Sequence, residues 1–238
     1  MIRVAVVCQF ILDAVALKYP NRHVISIDEK TGIQAIERKQ GRAPQSKGGH
    51  HRVEYEYIRH GTTTLMAASH VENGRLIHYH LGPTRDEVDY ADFVKLTVDQ
   101  LPEMDQVIIL SDQLNTHVSE TLVRWIAELE EYDQDLGIKG AYGILKSMNT
   151  RRAFLERTHH RVRFVFTPKH CSWLNPIENW FAKLQRHVIT KGNFPSVKEL
   201  QSRIVAYIDF YNQSFAKPLN WTFKGFNKAT DNCQLFVI

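Results

Sequence analysis

Three acidic residues stand at positions where a carboxylate could do chemistry. Asp112 follows the residues Val-Ile-Ile-Leu at 107–110, a continuous apolar run that is typical of a strand covered on both faces. An acid at the carboxyl end of such a strand lies where open α/β sheets bind their ligands. The segment 111–115 also has the composition of a turn or helix cap, so the residues alone support a functional and a structural interpretation equally.

The other two acids have stronger structural alternatives. Asn175, Pro176 and Glu178 form a capping-box pattern, in which Glu178 would stabilise the start of a helix. Glu178 also borders the predicted buried stripe of that helix, so capping and a chemical role could coexist. Asp28 begins the run Asp-Glu-Lys-Thr-Gly at 28–32, whose composition favours a hairpin turn.

Three carboxylates brought together would suit a divalent-metal site. Mg²⁺ takes hard oxygen ligands at about 2.0–2.1 Å and is usually held by a few carboxylates together with water and phosphate oxygens. Two such ions, about 3.5–4 Å apart, can activate an attacking oxygen and stabilise a leaving oxygen in phosphodiester displacement. We therefore consider the hypothesis that Asp28, Asp112 and Glu178 form such a site.

The elements that must position these acids are predicted from hydrophobic periodicity and turn residues. The predicted strands are residues 23–27, 33–37, 62–71, 75–81, 106–110 and 162–166. The predicted helices are residues 4–12, 86–101, 118–130, a segment starting near 176, and 196–212. A strong Glu-Asn-Gly hairpin turn occupies 72–74. Antiparallel strands followed by alternating strands and helices indicate an α/β fold with parallel strands in its second half.

Composition narrows the class of protein. The chain has 238 residues, of which 43% are hydrophobic, and no apolar run approaches the length of about 18 residues that a membrane span needs. Its three cysteines cannot form a disulfide framework, which favours a cytoplasmic protein. The net charge of +4 hides an uneven distribution, because residues 151–191 carry nine basic and two acidic side chains. Residues 84–135, by contrast, carry three basic and fourteen acidic side chains. Such a separation of charge suggests a polyanionic partner.

Several motifs in one order resemble DDE-type transposases of bacterial insertion sequences, in the mariner-related group. They are SIDEKTGIQA at 26–35, HGT at 60–62, DQLNTH at 112–117, TPKHCSWLN at 167–175 with Glu178, and WF at 180–181. The tail is similar as well, through AKP at 216–218 and WT at 221–222. The resemblance covers nearly the whole chain.

The resemblance implies a ribonuclease H-like fold, with a five-stranded mixed sheet in the order 3-2-1-4-5 flanked by helices. It implies that Asp28, Asp112 and Glu178 are the catalytic and metal-binding residues, which overrides the turn interpretation of Asp28. The expected activity is DNA cleavage at transposon ends and strand transfer into target DNA, dependent on two Mg²⁺ or Mn²⁺ ions. The expected partners are the terminal inverted repeats, the target DNA and a second copy of the chain, and the expected location is the nucleoid.

The resemblance also divides the chain. We expect a linker helix at 1–20, the catalytic domain at 21–213 with an insertion at 132–160, and a C-terminal tail at 214–238. Asp112 and Glu178 are separated by 65 residues, more than in the compact family pattern, and the insertion at 132–160 matches the excess. Full-length relatives carry a helix-turn-helix region that binds the inverted repeats, whereas this chain opens at the linker helix. We expect either a transposase split across two frames or a truncated copy.

Supporting roles are assigned to residues within or near these motifs. His117, His170 and Asn175 could position metal-bound water or a DNA phosphate, although fixing the shape of a loop is slightly favoured. The residues expected to contact DNA are Lys39, Arg42, Lys47, Arg52, Arg161, Arg163, Lys169 and Trp173. No zinc site is predicted, because the chain has no Cys-x-x-Cys pair and His78 and His80 lack partners at zinc-ligand spacing.

Two other functions fit parts of the sequence. A truncated copy could be a non-catalytic inhibitor that binds DNA or a full-length transposase, although the three intact acids argue against decay. A host ribonuclease H-like nuclease acting on RNA–DNA hybrids would need the same acids but not the transposase motifs.

Overall fold

A five-stranded mixed sheet forms the centre of the protein, in a computed structural model that describes residues 2–38 and 56–224. The strands are β1 (Arg22–Arg38), β2 (Tyr57–His70), β3 (Leu76–Gly82), β4 (Gln106–Ser111) and β5 (Val162–Phe166). Their order across the sheet is β3-β2-β1-β4-β5, as the resemblance predicts. The first three strands are antiparallel, while β1, β4 and β5 run parallel, so the carboxyl ends of these three strands meet at one edge.

In the described part of the chain, six α-helices cover the two faces of this sheet. They are α1 (Ile2–Val15), α2 (Glu87–Val98), α3 (Glu120–Leu129), α4 (Met148–Leu155), α5 (Ile177–Leu184) and α6 (Val197–Ser214). Helices α2, α3 and α4 pack on one face, and α1, α5 and α6 on the other. Across the described residues, no helix is both long and apolar enough to cross a membrane.

Strand β4 shows why its apolar run predicts burial on both faces. Val107 and Ile109 pack into the core beneath α2 and α3, whereas Ile108 and Leu110 pack into the core beneath α1. Alternate side chains of a strand point to opposite faces, so each face needs its own apolar residues. All four side chains are fully buried, and the prediction of a doubly covered strand is confirmed.

Strand β1 differs from the prediction made from local composition. Two strands separated by a turn at 28–32 were expected from that composition, but β1 runs unbroken from Arg22 to Arg38. Its pairing with β2 shifts between Lys30 and Ile33, and Gly32 has a φ of 63°. The Thr-Gly pair therefore marks a β-bulge rather than a hairpin, and glycine supplies the positive φ that the bulge needs. The turn interpretation of Asp28 is wrong.

The segment 132–160, interpreted from the sequence as an insertion, contributes a large side chain to the core. Helix α4 begins after a capping box made by Ser147 and Thr150. From this helix Phe154 packs into the same core as α2 and α3 and is 1% exposed. The buried Arg151 donates hydrogen bonds to the carbonyl oxygen of Leu145 within the segment and to that of Val118 outside it, and the bond to Val118 ties the segment to the rest of the domain.

Candidate active site

Asp28 and Asp112 lie side by side at the carboxyl edge of the parallel strands. The register pairs Ser26 of β1 with Leu110 of β4, and each acid comes two residues after its member of that pair. The two acids therefore lie at the same level of the sheet, Asp28 within β1 and Asp112 directly after the end of β4. The two carboxylates interact electrostatically, since Asp112 contributes to the raised pKa of Asp28.

Asp28 is the most buried of the three acids, at 7% exposed. Its carboxylate accepts a 2.8 Å hydrogen bond from the backbone N–H of Glu29 and a 3.1 Å bond from the side-chain amide of Asn175. Burial and the neighbouring charge of Asp112 raise the pKa of Asp28 to about 7. A nearby cation would favour the ionised form and relieve this unfavourable charge.

Asn175 connects β1 to the start of α5, a role different from the predicted one. The capping-box pattern predicts Asn175 as the N-cap, but Pro176 takes that position and no side chain caps the helix. The Asn175 amide nitrogen instead donates to the backbone oxygen of Ile27 at 2.9 Å and to Asp28. Its oxygen accepts from the hydroxyl of Ser26, which in turn accepts from the backbone N–H of Ile177 at 2.8 Å. The buried amide therefore fixes Asp28 and α5 together, and the capping interpretation is wrong.

Glu178 reaches the same edge of the sheet from α5. The buried face of α5 anchors this helix through Ile177, Trp180 and Phe181. Burial raises the pKa of Glu178; the charge of Lys30 opposes this shift and the charge of Asp112 adds to it. Glu178 is therefore within electrostatic reach of Asp112, and the structure brings all three predicted acids to one edge.

His117 lies between Asp112 and a carboxylate that the sequence did not identify. Its Nδ1 lies 2.6 Å from Asp112 Oδ1, and its Nε2 lies 2.9 Å from Glu29 Oε2. The imidazole is fully buried and stacks on Tyr90 with ring centroids 4.0 Å apart. Burial lowers the pKa of His117, but the hydrogen bonds to Asp112 and Glu29 outweigh it and raise the pKa to about 9. The histidine is therefore positively charged at neutral pH.

The charge of His117 controls the ionisation of Asp112. Burial alone raises the pKa of Asp112, but the hydrogen bond and charge of His117 hold that pKa below its usual value. Asp28 and Asp112 thus have opposite shifts, because Asp112 alone contacts the histidine. The Glu29 side chain is only 2% exposed. Glu29 lies within the motif at 26–35, but composition gave no signal that its side chain turns inward.

A cavity of about 310 Å³ opens beside Asp112 and is lined by Lys169 and His170. His170 has a φ of 62°, a conformation that is rare for residues other than glycine and that often occurs at functional sites. Trp173 follows shortly and is 48% exposed, with its ring against that of Phe223. The loop after β5 therefore brings three predicted residues to the same edge of the sheet as the acids.

Two of the predicted DNA-contacting residues lie at the other end of the sheet. Arg161 precedes β5 and donates to the backbone oxygen of Pro102. Arg163 is partly buried, donates to the backbone oxygen of Glu156, and stacks its guanidinium over Phe10. The structure does not bring these arginines to the acids. The predicted basic loop residues lie outside the described residues; they are Lys39, Arg42, Lys47 and Arg52.

The donor set at the edge fits a hard divalent cation. Asp28, Asp112 and Glu178 offer oxygen ligands only, as Mg²⁺ and Mn²⁺ prefer. In the described residues these three carboxylates do not all come within 4.8 Å of one another, so they do not converge on a single ion position. The like-charge effect on the pKa of Asp28 is the physical sign that this edge would favour a cation.

The fold is that of a ribonuclease H-like domain, as comparison with solved structures indicates. The chain is similar to Mos1 transposase in a paired-end complex with a left transposon end, with a TM-score of 0.54 and 15% identity. That match covers 91% of this chain and 55% of the other, so this chain spans about half the length of that relative. The catalytic domain of Mos1 mariner transposase matches with a TM-score of 0.49 and 13% identity, covering 89% of this chain and 84% of that one. No curated protein matches the chain.

The family follows from the sequence itself. A family model described as DDE superfamily endonuclease matches residues 23–201, which is most of the chain and includes all three acids. The chain belongs to this family. The family resemblance inferred from the motifs is therefore confirmed.

Proposed function

We propose that this protein is the catalytic domain of a transposase, which cuts DNA at transposon ends and joins the freed end to target DNA. The observation that carries the proposal is the placement of Asp28 and Asp112 at one level on adjacent parallel strands, with Glu178 facing them from α5. Membership of the DDE superfamily endonuclease family supports the same reaction class. The similarity to a transposase bound to a transposon end supports DNA as the substrate.

In this proposal the three acids hold Mg²⁺ or Mn²⁺, with two ions expected. Bound ions of this kind would supply charge stabilisation for the attacking and leaving oxygens of a phosphodiester. The chain's own residues prepare the site for them. His117 keeps Asp112 ionised, and Asn175 holds the carboxylate of Asp28 in place.

The loop after β5 would hold the DNA beside these acids. Lys169 lines the cavity next to Asp112, where an ammonium group can pair with a phosphate. The exposed ring of Trp173 offers a surface on which a base can stack. We further propose that two copies of the chain act together on paired transposon ends, as expected from the family.

The proposal is tested with DNA carrying the terminal sequences of the element that encodes the protein. We expect strand cleavage with Mg²⁺ or Mn²⁺ and none with EDTA. Asp112→Asn should lower the cleavage rate at least 100-fold, because it removes one of the carboxylates proposed to hold the metal ions. This decrease corresponds to about 2.7 kcal/mol of lost transition-state stabilisation. The matched control is Asp133→Asn, since Asp133 is an exposed acid in the loop after α3.

Two results would contradict the proposal. One is equal cleavage by wild type and Asp112→Asn. The other is cleavage of an RNA–DNA hybrid but not of transposon-end DNA, which would assign the same acids to a ribonuclease H-like nuclease.

A further inference from the structure

A second cluster of metal-ligating side chains lies at the end of the sheet opposite the three acids. His23 is near the start of β1, His70 ends β2, and Glu72 follows in the turn to β3. The register pairs Ile25 with His70, so His23, two residues before Ile25, lies across from Glu72. In the described residues this is the one trio of His, Cys, Asp or Glu residues whose ligand atoms all lie within 4.8 Å of one another.

The contact between His70 and Glu72 leaves two buried ligand atoms without a hydrogen-bond partner in the described part of the chain. His70 Nδ1 and Glu72 Oε2 are 2.7 Å apart, yet both atoms are buried and neither has a hydrogen-bond partner among the described residues. The oxygen must therefore lie off the axis along which the ring nitrogen donates or accepts. At 2.7 Å the two atoms are closer than two ligands of one ion would be, so an ion bound between them would move them apart and give each a partner.

The remaining polar atoms of the cluster are fixed by neighbours in the way that metal ligands are. His23 Nε2 lies 2.9 Å from Asp105 Oδ2, and His23 Nδ1 lies 3.0 Å from Nε2 of His70, which is the ring nitrogen that does not face Glu72. Glu72 Oε1 accepts a 2.8 Å hydrogen bond from the backbone N–H of Val24. A carboxylate on the outer nitrogen of a histidine is the usual second partner of a metal-binding imidazole, because it fixes the ring orientation.

We propose that His23, His70 and Glu72 bind a zinc-type divalent transition-metal ion, separate from the ions of the active site. Two imidazoles and one carboxylate suit Zn²⁺ rather than Mg²⁺, which takes oxygen ligands. Ligand atoms around tetrahedral zinc are about 3.4 Å apart, as bond lengths of about 2.0–2.2 Å require. The ligand atoms lie within 4.8 Å of one another, so a rotation of the His70 imidazole that turns one ring nitrogen toward both partners, with small movements of the other two side chains, would complete the trio. A cavity of about 390 Å³ lined by all three residues gives the ion access.

The bound ion would join three parts of the chain. It would hold the start of β1, the end of β2 and the turn into β3, and through Asp105 it would reach the loop before β4. The sequence does not reveal this site, because the ligands are separated by 46 residues and have no zinc-finger spacing. The strand register alone brings them together.

The test measures zinc binding by the full chain carrying Asp28→Asn and Asp112→Asn, so that the candidate active site does not contribute. Equilibrium dialysis with Zn²⁺ should give one ion per chain, retained in excess Mg²⁺. Adding His70→Gln or Glu72→Gln should weaken zinc binding more than tenfold. Asp105→Asn keeps all three ligands and should weaken it by about 10- to 100-fold. His80→Gln, at an exposed position on β3, is the matched control and should leave binding unchanged.

Circular dichroism would show whether any variant fails to fold. A second measurement, which needs no ligand substitution, keeps the proposal testable in that case. Co²⁺ bound to the unaltered trio should show the intense visible absorption of a tetrahedral ion, which Asp105→Asn should perturb. The proposal is overturned if the chain binds no Zn²⁺, if His70→Gln and Glu72→Gln bind it as tightly as the parent, or if Co²⁺ shows only the weak octahedral spectrum. None of these results depends on DNA cleavage.

Discussion

The contact of His117 with Glu29 and Asp112 predicts an unusual dependence of stability on pH. The imidazole is fully buried, and its two carboxylate neighbours raise its pKa from the ordinary 6.5 to about 9. Between these values the folded protein binds a proton that the unfolded chain has lost. This contribution to stability is therefore complete below pH 6.5 and is lost as the pH rises through 9.

The size of the effect follows from the shift in pKa. About 2.5 units at 1.36 kcal/mol each give about 3 kcal/mol, a large part of the stability of a typical domain. We expect His117→Gln to remove this term, because glutamine keeps hydrogen-bonding groups but does not titrate. The free energy of unfolding of wild type minus that of His117→Gln should therefore fall by about 3 kcal/mol between pH 6 and pH 10.

Urea denaturation in EDTA at several pH values measures this difference without interference from metal ions. Glu29→Gln should weaken the dependence without removing it, since it removes one of the two carboxylates that hold the proton and leaves Asp112. His80→Gln, at an exposed histidine, should leave the dependence unchanged. A difference between wild type and His117→Gln that stays constant from pH 6 to pH 10 would refute the assignment of a charged His117.

Three further predictions concern the candidate active site and the core. Burial and Asp112 raise the pKa of Asp28 from 3.8 to about 7, so the metal-free protein loses stability as the pH rises between these values. Above pH 7 in EDTA, the free energy of unfolding of Asp28→Asn, measured by urea denaturation, should therefore exceed that of wild type by up to about 4 kcal/mol. The variant should also lose the stabilisation that Mg²⁺ gives wild type. Asn175→Ala should lower stability by about 2–3 kcal/mol, since it leaves buried partners unpaired, and should weaken Mn²⁺ binding about 10-fold or more in titration calorimetry; unchanged binding would contradict its positioning role. Phe154→Ala should cost about 3–5 kcal/mol in urea denaturation, whereas Met148→Ala, at an exposed position, should cost less than about 1 kcal/mol; equal effects would mean that the segment 132–160 is not part of the core.

Local patterns predicted most of the elements of this fold. The strand at 162–166 and the hairpin turn at 72–74 occur as predicted, with Gly74 at a φ of 71°. These predictions succeed because apolar periodicity and turn residues act over a few neighbouring positions. The Thr-Gly pair at 31–32 misled the prediction for the same reason, since a bulge and a hairpin turn need the same residue types. The family motifs then supplied the sheet order, which periodicity does not contain.

The sequence by itself identified the three candidate acids and the family to which the chain belongs. It could not show that Glu29 turns inward to His117, that Asn175 joins β1 to α5, or that His23 and His70 meet Glu72. Glu29 is 88 positions from His117, Asn175 is 148 positions from Ile27, and His23 is 47 positions from His70. Only the strand register and the parallel crossovers bring them within a few ångströms, and these depend on packing over the whole domain rather than on neighbouring residues. The sequence therefore identifies the three acids that could bind a metal ion, whereas only the tertiary structure shows the charged His117 beside them.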